Sequence, residues 1–169
     1  MLPDEADLLL VQDNPLEVEL TLRPLRDLDP ECRLAVARDG EEALDYLLGR
    51  GTFRHRLGGP PPRVVLLELR LPRVDGIEVL RALRASPRAS TTPVVMLLPA
   101  SDAREIAQCC QMGANSCVLK PVEFARFYET IQAIGRYWLG TNLSAGGAGG
   151  AYAAGGATAG HRGASARGG

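Results

Sequence analysis

Five short apolar runs recur along the first 120 residues, separated by stretches patterned as helices. The runs are DLLLV (7–11), CRLAVA (32–37), RVVLLE (63–68), PVVMLL (93–98) and NSCVLK (115–120). Apolar residues follow one another in them instead of alternating with polar ones. That pattern marks strands buried on both faces, as in a parallel sheet. The intervening segments carry helix starts. Residues 15–26 follow Asn14, a good N-cap, with Pro15 at the first helical position and Glu17 at the third. Residues 40–49 follow Asp39, with Glu42 completing a capping box, and residues 76–85 follow Asp75 with Glu78 three residues on. Residues 102–112 follow Ser101 and run to Gly113, a plausible C-cap, and residues 122–139 run to Gly140. Pro24 is expected to kink or end the first helix.

Strand and helix repeated five times predict a doubly wound α/β sandwich of about 140 residues, with a five-stranded parallel sheet and right-handed crossovers. The last thirty residues differ. Gly140–Gly169 holds eleven of the nineteen glycines and no acidic residue. Such a stretch cannot bury enough apolar area to offset its ordering entropy, so residues 1–140 read as one domain and 141–169 as a disordered tail. His161, Arg162 and Arg167 leave a partner site in the tail open, although an inert tail is the simpler reading. A net charge of −1 gives no global pull toward nucleic acid or anionic lipid. No apolar stretch approaches the ~20 residues of a membrane span, and the acidic start MLPDEADLLLVQDN lacks the basic segment of a secretory signal. Cys32, Cys109, Cys110 and Cys117 form no C-x-x-C pair, which suits a reduced cytoplasmic protein with buried thiols.

In doubly wound sheets the functional crevice lies beyond the carboxyl ends of the strands. Strand one exits into Gln12-Asp13, strand three at Glu68, strand four at Leu98 and strand five at Lys120-Pro121. Two acids and a lysine thus converge on one edge, a suitable place for a divalent cation and a phosphoryl group.

The segments LLLVQDNPLEVELTLR, ARDGEEALDYLLGRG, VVLLELRLPRVDGIEVLRALR, TPVVMLL and MGANSCVLKPVEFARF resemble, in order and spacing, the receiver domain of bacterial response regulators. The likeness spans about residues 5–140. YWLG at 137–140 and GEEALDYL resemble more narrowly the single-domain receivers that partner phytochrome-type histidine kinases. The resemblance implies a flavodoxin-like, CheY-like fold with strand order 2-1-3-4-5. It implies a two-component phosphorelay role in which an aspartate ending strand three accepts a phosphoryl group from a kinase histidine. An acidic pair after strand one and a backbone carbonyl, here that of Arg70, then hold Mg²⁺. A Thr or Ser after strand four bonds the phosphoryl oxygens, a lysine after strand five pairs with the charge, and a strand-five aromatic switches the face made by helix four, strand five and helix five.

This chain departs from that pattern at four positions of six. The acceptor position is Glu68, whose carboxylate stands one methylene further out, about 1.5 Å. Misplacement of about 1 Å can cost ~10²-fold in an aligned reaction. Gln12 replaces one acid of the pair, which leaves Asp13 and at most a weak Mg²⁺ site. Leu98 replaces the hydroxyl residue and Cys117 the switch aromatic, whereas Lys120 is retained. Glu68 either pairs with Lys120 merely to satisfy two half-buried charges or imitates the phosphorylated state through Lys120; loss of the Leu98 and Cys117 coupling favours the first. Asp13 is equally a residual metal ligand or a local capping acid. Cys117 reads as a small buried hydrophobe before it reads as a redox sensor. No nucleophile–base–orienter set and no Gly-rich phosphate loop points to an enzyme. The function expected is that of an atypical, stand-alone receiver acting by protein–protein contact without aspartyl phosphorylation, with a constitutive mimic or a residual phosphate sink as alternatives. Helix five carries more apolar residues than one core stripe needs, so Phe127, Tyr128, Tyr137 and Trp138 are candidates to bury against a second copy.

Overall fold

The computed structural model describes residues 2–99 and 103–142. Its strands are β1 (Leu8–Val11), β2 (Leu34–Ala37), β3 (Val64–Glu68), β4 (Val94–Leu98) and β5 (Ser116–Leu119). They alternate with α1 (Pro15–Leu28), α2 (Gly40–Leu48), α3 (Gly76–Ala85), α4 (Ala103–Gln111) and α5 (Phe124–Gly135). The strands form a single parallel sheet in the order β2-β1-β3-β4-β5.

Period-two alternation sorts the strand side chains into two cores. Leu9, Val11, Val65, Leu67, Met96 and Leu98 face α2, α3 and α4. Leu8, Leu10, Val64, Leu66, Val95 and Leu97 face α1 and α5, where they meet Val18, Leu22, Leu25, Ile131 and Ile134. The same parity carries Gln12 and Glu68 onto the α1/α5 side at the carboxyl edge of the sheet.

Several helix starts follow the sequence signals. Asn14 Oδ1 accepts from Leu16 N (3.0 Å) and Asp39 Oδ1 from Glu42 N (2.8 Å). Asp75 and Glu78 form a reciprocal capping box. Ser101 and the Gly/Ala-rich segment 143–169 lie outside the described residues.

Other expectations need correction. α1 does not end at Pro24; it runs four residues further, to Leu28. Pro24 lacks the N–H that would reach a carbonyl one turn back, a loss of about 3 kcal/mol in an isolated helix. Here Leu22, Pro24 and Leu25 are buried, and Leu22 and Leu25 pack in the α5-side core, so tertiary burial outweighs the lost bond. The last helix starts at Phe124 and widens into a π-type turn, Arg136–Thr141, that carries order past Gly140. A 3₁₀ segment, Gly51–Gly58, follows α2 without having been anticipated. It is stapled by the buried Arg56, whose guanidinium lies 3.5 Å from the Tyr46 ring centroid and donates to Asp4 O (2.6 Å). The thiols are not uniformly buried: Cys109 is, Cys32 and Cys117 are half-buried, and Cys110 is exposed.

Two glycines set how closely the loops at the sheet edge approach. A Cβ on Gly76 would stand 2.3 Å from Glu68 O, and one on Gly40 would stand 2.0 Å from Val74 O. Gly76→Ala and Gly40→Ala are each expected to cost about 1–3 kcal/mol in urea unfolding. Gly58→Ala, whose Cβ meets nothing within 4 Å, is expected to stay within about 0.5 kcal/mol of wild type.

Candidate functional site

Glu68 ends β3 with its carboxylate buried, at 4% exposure. Its Oε2 accepts from Lys120 Nζ (2.6 Å) and from Gln12 Nε2 (3.0 Å). The sheet delivers both donors. Lys120 N bonds Leu98 O (2.7 Å), which holds the residue beside β4 at the end of β5. Gln12 N bonds Ala37 O (3.0 Å) at the end of β1.

A fourth side chain closes the group. Glu17 Oε2 accepts from Lys120 Nζ (2.7 Å) and from Gln12 Nε2 (2.9 Å). The two hydrogens of one amide and two of one ammonium thus serve the same pair of carboxylates. The remaining Gln12 oxygen accepts from Asn14 N (3.0 Å), which orients the amide. Glu17 sits in the first turn of α1, where the helix dipole favours a negative charge. Sequence reasoning noted Glu17 only as a helix-start acid; its place on the first turn after a functional strand was the available signal.

Burial pushes the Glu68 carboxyl above the ordinary carboxylate range, more than its hydrogen bond to Lys120 pulls it down, and nearby Glu17 adds to the rise. For Lys120, burial opposes the charge, but the hydrogen bonds to Glu17 and Glu68 outweigh it and hold the ammonium above its ordinary value.

The other motif positions stand apart from this ring. Asp13 is exposed, one residue beyond Gln12. The Arg70 side chain turns to Glu105 and to Asp75 (3.8 Å). Leu98 is fully buried and Cys117 half-buried, both against the α2/α3/α4 core. The residues do not fit a Mg²⁺ site. A hard cation needs converging oxygens, yet Gln12 turns an N–H donor to Glu68, and the same Glu68 oxygen already takes two hydrogen bonds. Among the described residues no three of His, Cys, Asp and Glu gather closely enough to hold a metal ion.

The helix-five candidates separate. Phe127 is 8% exposed and belongs to the core shared with α1, so it is not a spare surface group. Tyr128 is half-buried, and its hydroxyl donates to Asp27 on α1 (2.7 Å). Trp138 is half-buried against the same core, edge-on to Tyr137 at 4.9 Å. Tyr137 remains 51% exposed. The apolar outward surface also includes Leu119, Val122 and Phe124 (53% exposed), which sequence reasoning did not single out. Pro99, Pro121, Val122, Phe124 and Phe127 line a groove of about 340 Å³ that reaches Glu17 and Lys120.

Removing one partner from a buried charge group leaves the others uncompensated. Lys120→Met is expected to cost roughly 3 kcal/mol or more in urea unfolding at pH 7, and adding Glu68→Gln is expected to recover part of that loss. Because the folded Lys120 pKa lies above its ordinary 10.5, its contribution is complete below that pH and is lost as pH rises through the folded value. The margin of wild type over Lys120→Met should therefore shrink above pH 10.5.

Residues 8–132 match the family model of the response regulator receiver domain. The chain is 39% identical over 144 residues to the probable methanogenesis regulatory protein FilR2 of Methanothrix harundinacea (strain 6Ac), covering 85% of this chain and 90% of that one. Among solved structures, the phosphorylated cyanobacterial phytochrome response regulator RcpA superposes with a TM-score of 0.77 at 26% identity, covering 83% of this chain and 99% of that one. The bacteriophytochrome response regulator AtBRR does so with a TM-score of 0.62 at 44% identity, covering 79% and 94%. The parallel sheet in the order 2-1-3-4-5 agrees with these likenesses, and the chain belongs to the response regulator receiver domain family.

Proposed function

We propose that this receiver acts in two-component signalling as a stand-alone, phosphorylation-independent docking module and not as an enzyme. The observation that carries this reading is the closed hydrogen-bonded ring of Gln12, Glu17, Glu68 and Lys120. A phosphoacceptor needs a free carboxylate oxygen, a cation beside it and donors waiting for the incoming phosphoryl oxygens. Here, among the described residues, no group of acids stands ready to hold a cation beside Glu68, whose Oε2 is engaged twice, and the lysine that would meet the phosphoryl group is shared between two carboxylates. Leu98 offers no hydrogen bond at the corner where a hydroxyl would be needed.

A second reading has its own support. The 2.6 Å contact between Lys120 and Glu68 is the charge contact that a phosphorylated aspartate would make with this lysine, so Glu68 would act as a fixed mimic. Glu17 weakens that reading, because it takes an equal share of the ammonium. Partner binding that survives Glu68→Ala with the fold intact supports the docking module; binding lost with the fold intact supports the mimic.

The partner proposed is a histidine kinase, of phytochrome type by analogy with the relatives named above, or another cytoplasmic signalling protein. Nucleic acid and membrane are not proposed as partners. Among the described residues no helix is long and apolar enough to cross a membrane. The face of α4, β5 and α5 is the proposed site of homodimerisation. β5 is an edge strand whose residues are half-buried or exposed, and Leu119 within it and Phe124 at the start of α5 stand apolar and exposed.

Two measurements test this function. With acetyl phosphate and Mg²⁺, intact-mass analysis should show no phosphoryl group on wild type and one on the restored variant Gln12→Glu/Glu68→Asp/Leu98→Thr; a phosphorylated wild type overturns the proposal. In sedimentation velocity, wild type should run as a dimer and Leu119→Lys/Phe124→Glu as a monomer; a monomeric wild type removes the dimer from the proposal.

A further inference from the structure

Three of the four cysteines meet where α4 hands over to β5. Cys109 and Cys110 lie in the last turn of α4, and Cys117 lies in β5. The intervening turn is well tied: Gly113 N bonds Cys110 O (3.0 Å), Ala114 N bonds Cys109 O (3.0 Å), and Gly113 takes φ 91°. This holds Cys110 Sγ 3.9 Å from Cys117 Sγ. A disulfide needs about 2.05 Å between sulfurs. Cys110, on the exposed side of that gap, is open to solvent.

The anchoring of α4 gives such a bond a consequence. Among the described residues of α4, only Cys109 is buried. The helix is held to the sheet by Cys109 and by the half-buried Ile106, while each of the other four helices of the sandwich fully buries several side chains. A covalent tie from Cys110 to Cys117 would pin its last turn to the edge strand.

We propose that Cys110 and Cys117 form a reversible redox pair, closing to an intramolecular disulfide when the chain meets a low-molecular-weight disulfide. Cys110 is the attacking thiol because it is exposed. Its thiolate attacks one sulfur of the small disulfide, breaks that S–S bond and releases one small thiol, leaving a mixed disulfide on Cys110. Cys117 then loses its proton and attacks the Cys110 sulfur, which releases the second small thiol. Two protein thiols are oxidised by two electrons and one small disulfide is reduced to two thiols. Cys117 suits the second step and not the first, since burial, with Cys110 beside it, pushes its thiol up to about 12. The closing step is therefore slow at neutral pH and is expected to quicken about tenfold per pH unit below that value.

The test uses the full chain, fully reduced, at low protein concentration, with oxidised glutathione as the probe. The expected product is a monomer lighter by two hydrogen atoms, with alkylatable thiols reduced from four to two. Cyanogen bromide cleavage at Met112 should leave the flanking fragments joined until a reductant is added. Cys117→Ser should stop at the glutathione adduct on Cys110, Cys110→Ser should gain nothing, and Cys109→Ala should close like wild type. A wild type that stops at the adduct overturns the proposal. So does a bond that survives in Cys110→Ser, one lost in a folded Cys109→Ala, or disulfide-linked dimers in place of the monomer.

Discussion

One ammonium organises the carboxyl edge of this sheet. Lys120 stands between the carboxylates of Glu68 and Glu17, and Gln12 bridges the same two acids from the other side. Burial of a carboxylate at the end of a fully apolar strand is costly unless opposite charge and hydrogen bonds meet it. Here β5 supplies the charge, β1 the amide and α1 the second acid, so three connections across the sheet converge to keep one buried group satisfied. Each depends on the parallel order that places β1, β3, β4 and β5 side by side.

The replacements at this edge form a consistent set. With an acid in place of Gln12, three carboxylates would crowd one lysine, an arrangement that a divalent cation would have to relieve. With glutamine there, the amide donates to both acids in place of a third negative charge. The longer arm of Glu68 reaches the lysine directly. Leu98, fully buried, extends the apolar core up to the position where a hydroxyl would otherwise face the site. The members of this edge satisfy one another: Gln12 and Lys120 each donate to both carboxylates.

α4 and β5 bury fewer side chains than the other elements of the sandwich, although the turn between them is well tied. α4 rests on Cys109 and the half-buried Ile106, and β5 is an edge strand open along one side. An element with few buried contacts opens at low free-energy cost, and such elements are the ones through which receptors and regulators change shape. In this chain three of the cysteines lie at these two elements, while the charged network lies at the carboxyl edge of the sheet.

The alternation of apolar runs with capped helical segments determined the fold class from the sequence alone, because strands buried on both faces and separated by helices have few other solutions. The strand ends also singled out Gln12, Glu68, Leu98 and Lys120, since the functional edge of such a sheet is its carboxyl end. Local signals failed where distant packing decides the outcome. Pro24 stayed inside α1 because burial against the sheet and α5 outweighs a missing hydrogen bond. Phe127 proved to be core, because the rotation of α5 about its own axis follows from its contact with α1 and is not written in its own residues. Glu17 entered the site, and Cys110 came beside Cys117, through the approach of elements separated by a turn or by most of the chain. Which residues are charged, apolar or thiol-bearing is a property of the sequence; which of them share a proton or a contact is settled only when the sheet brings its edges together.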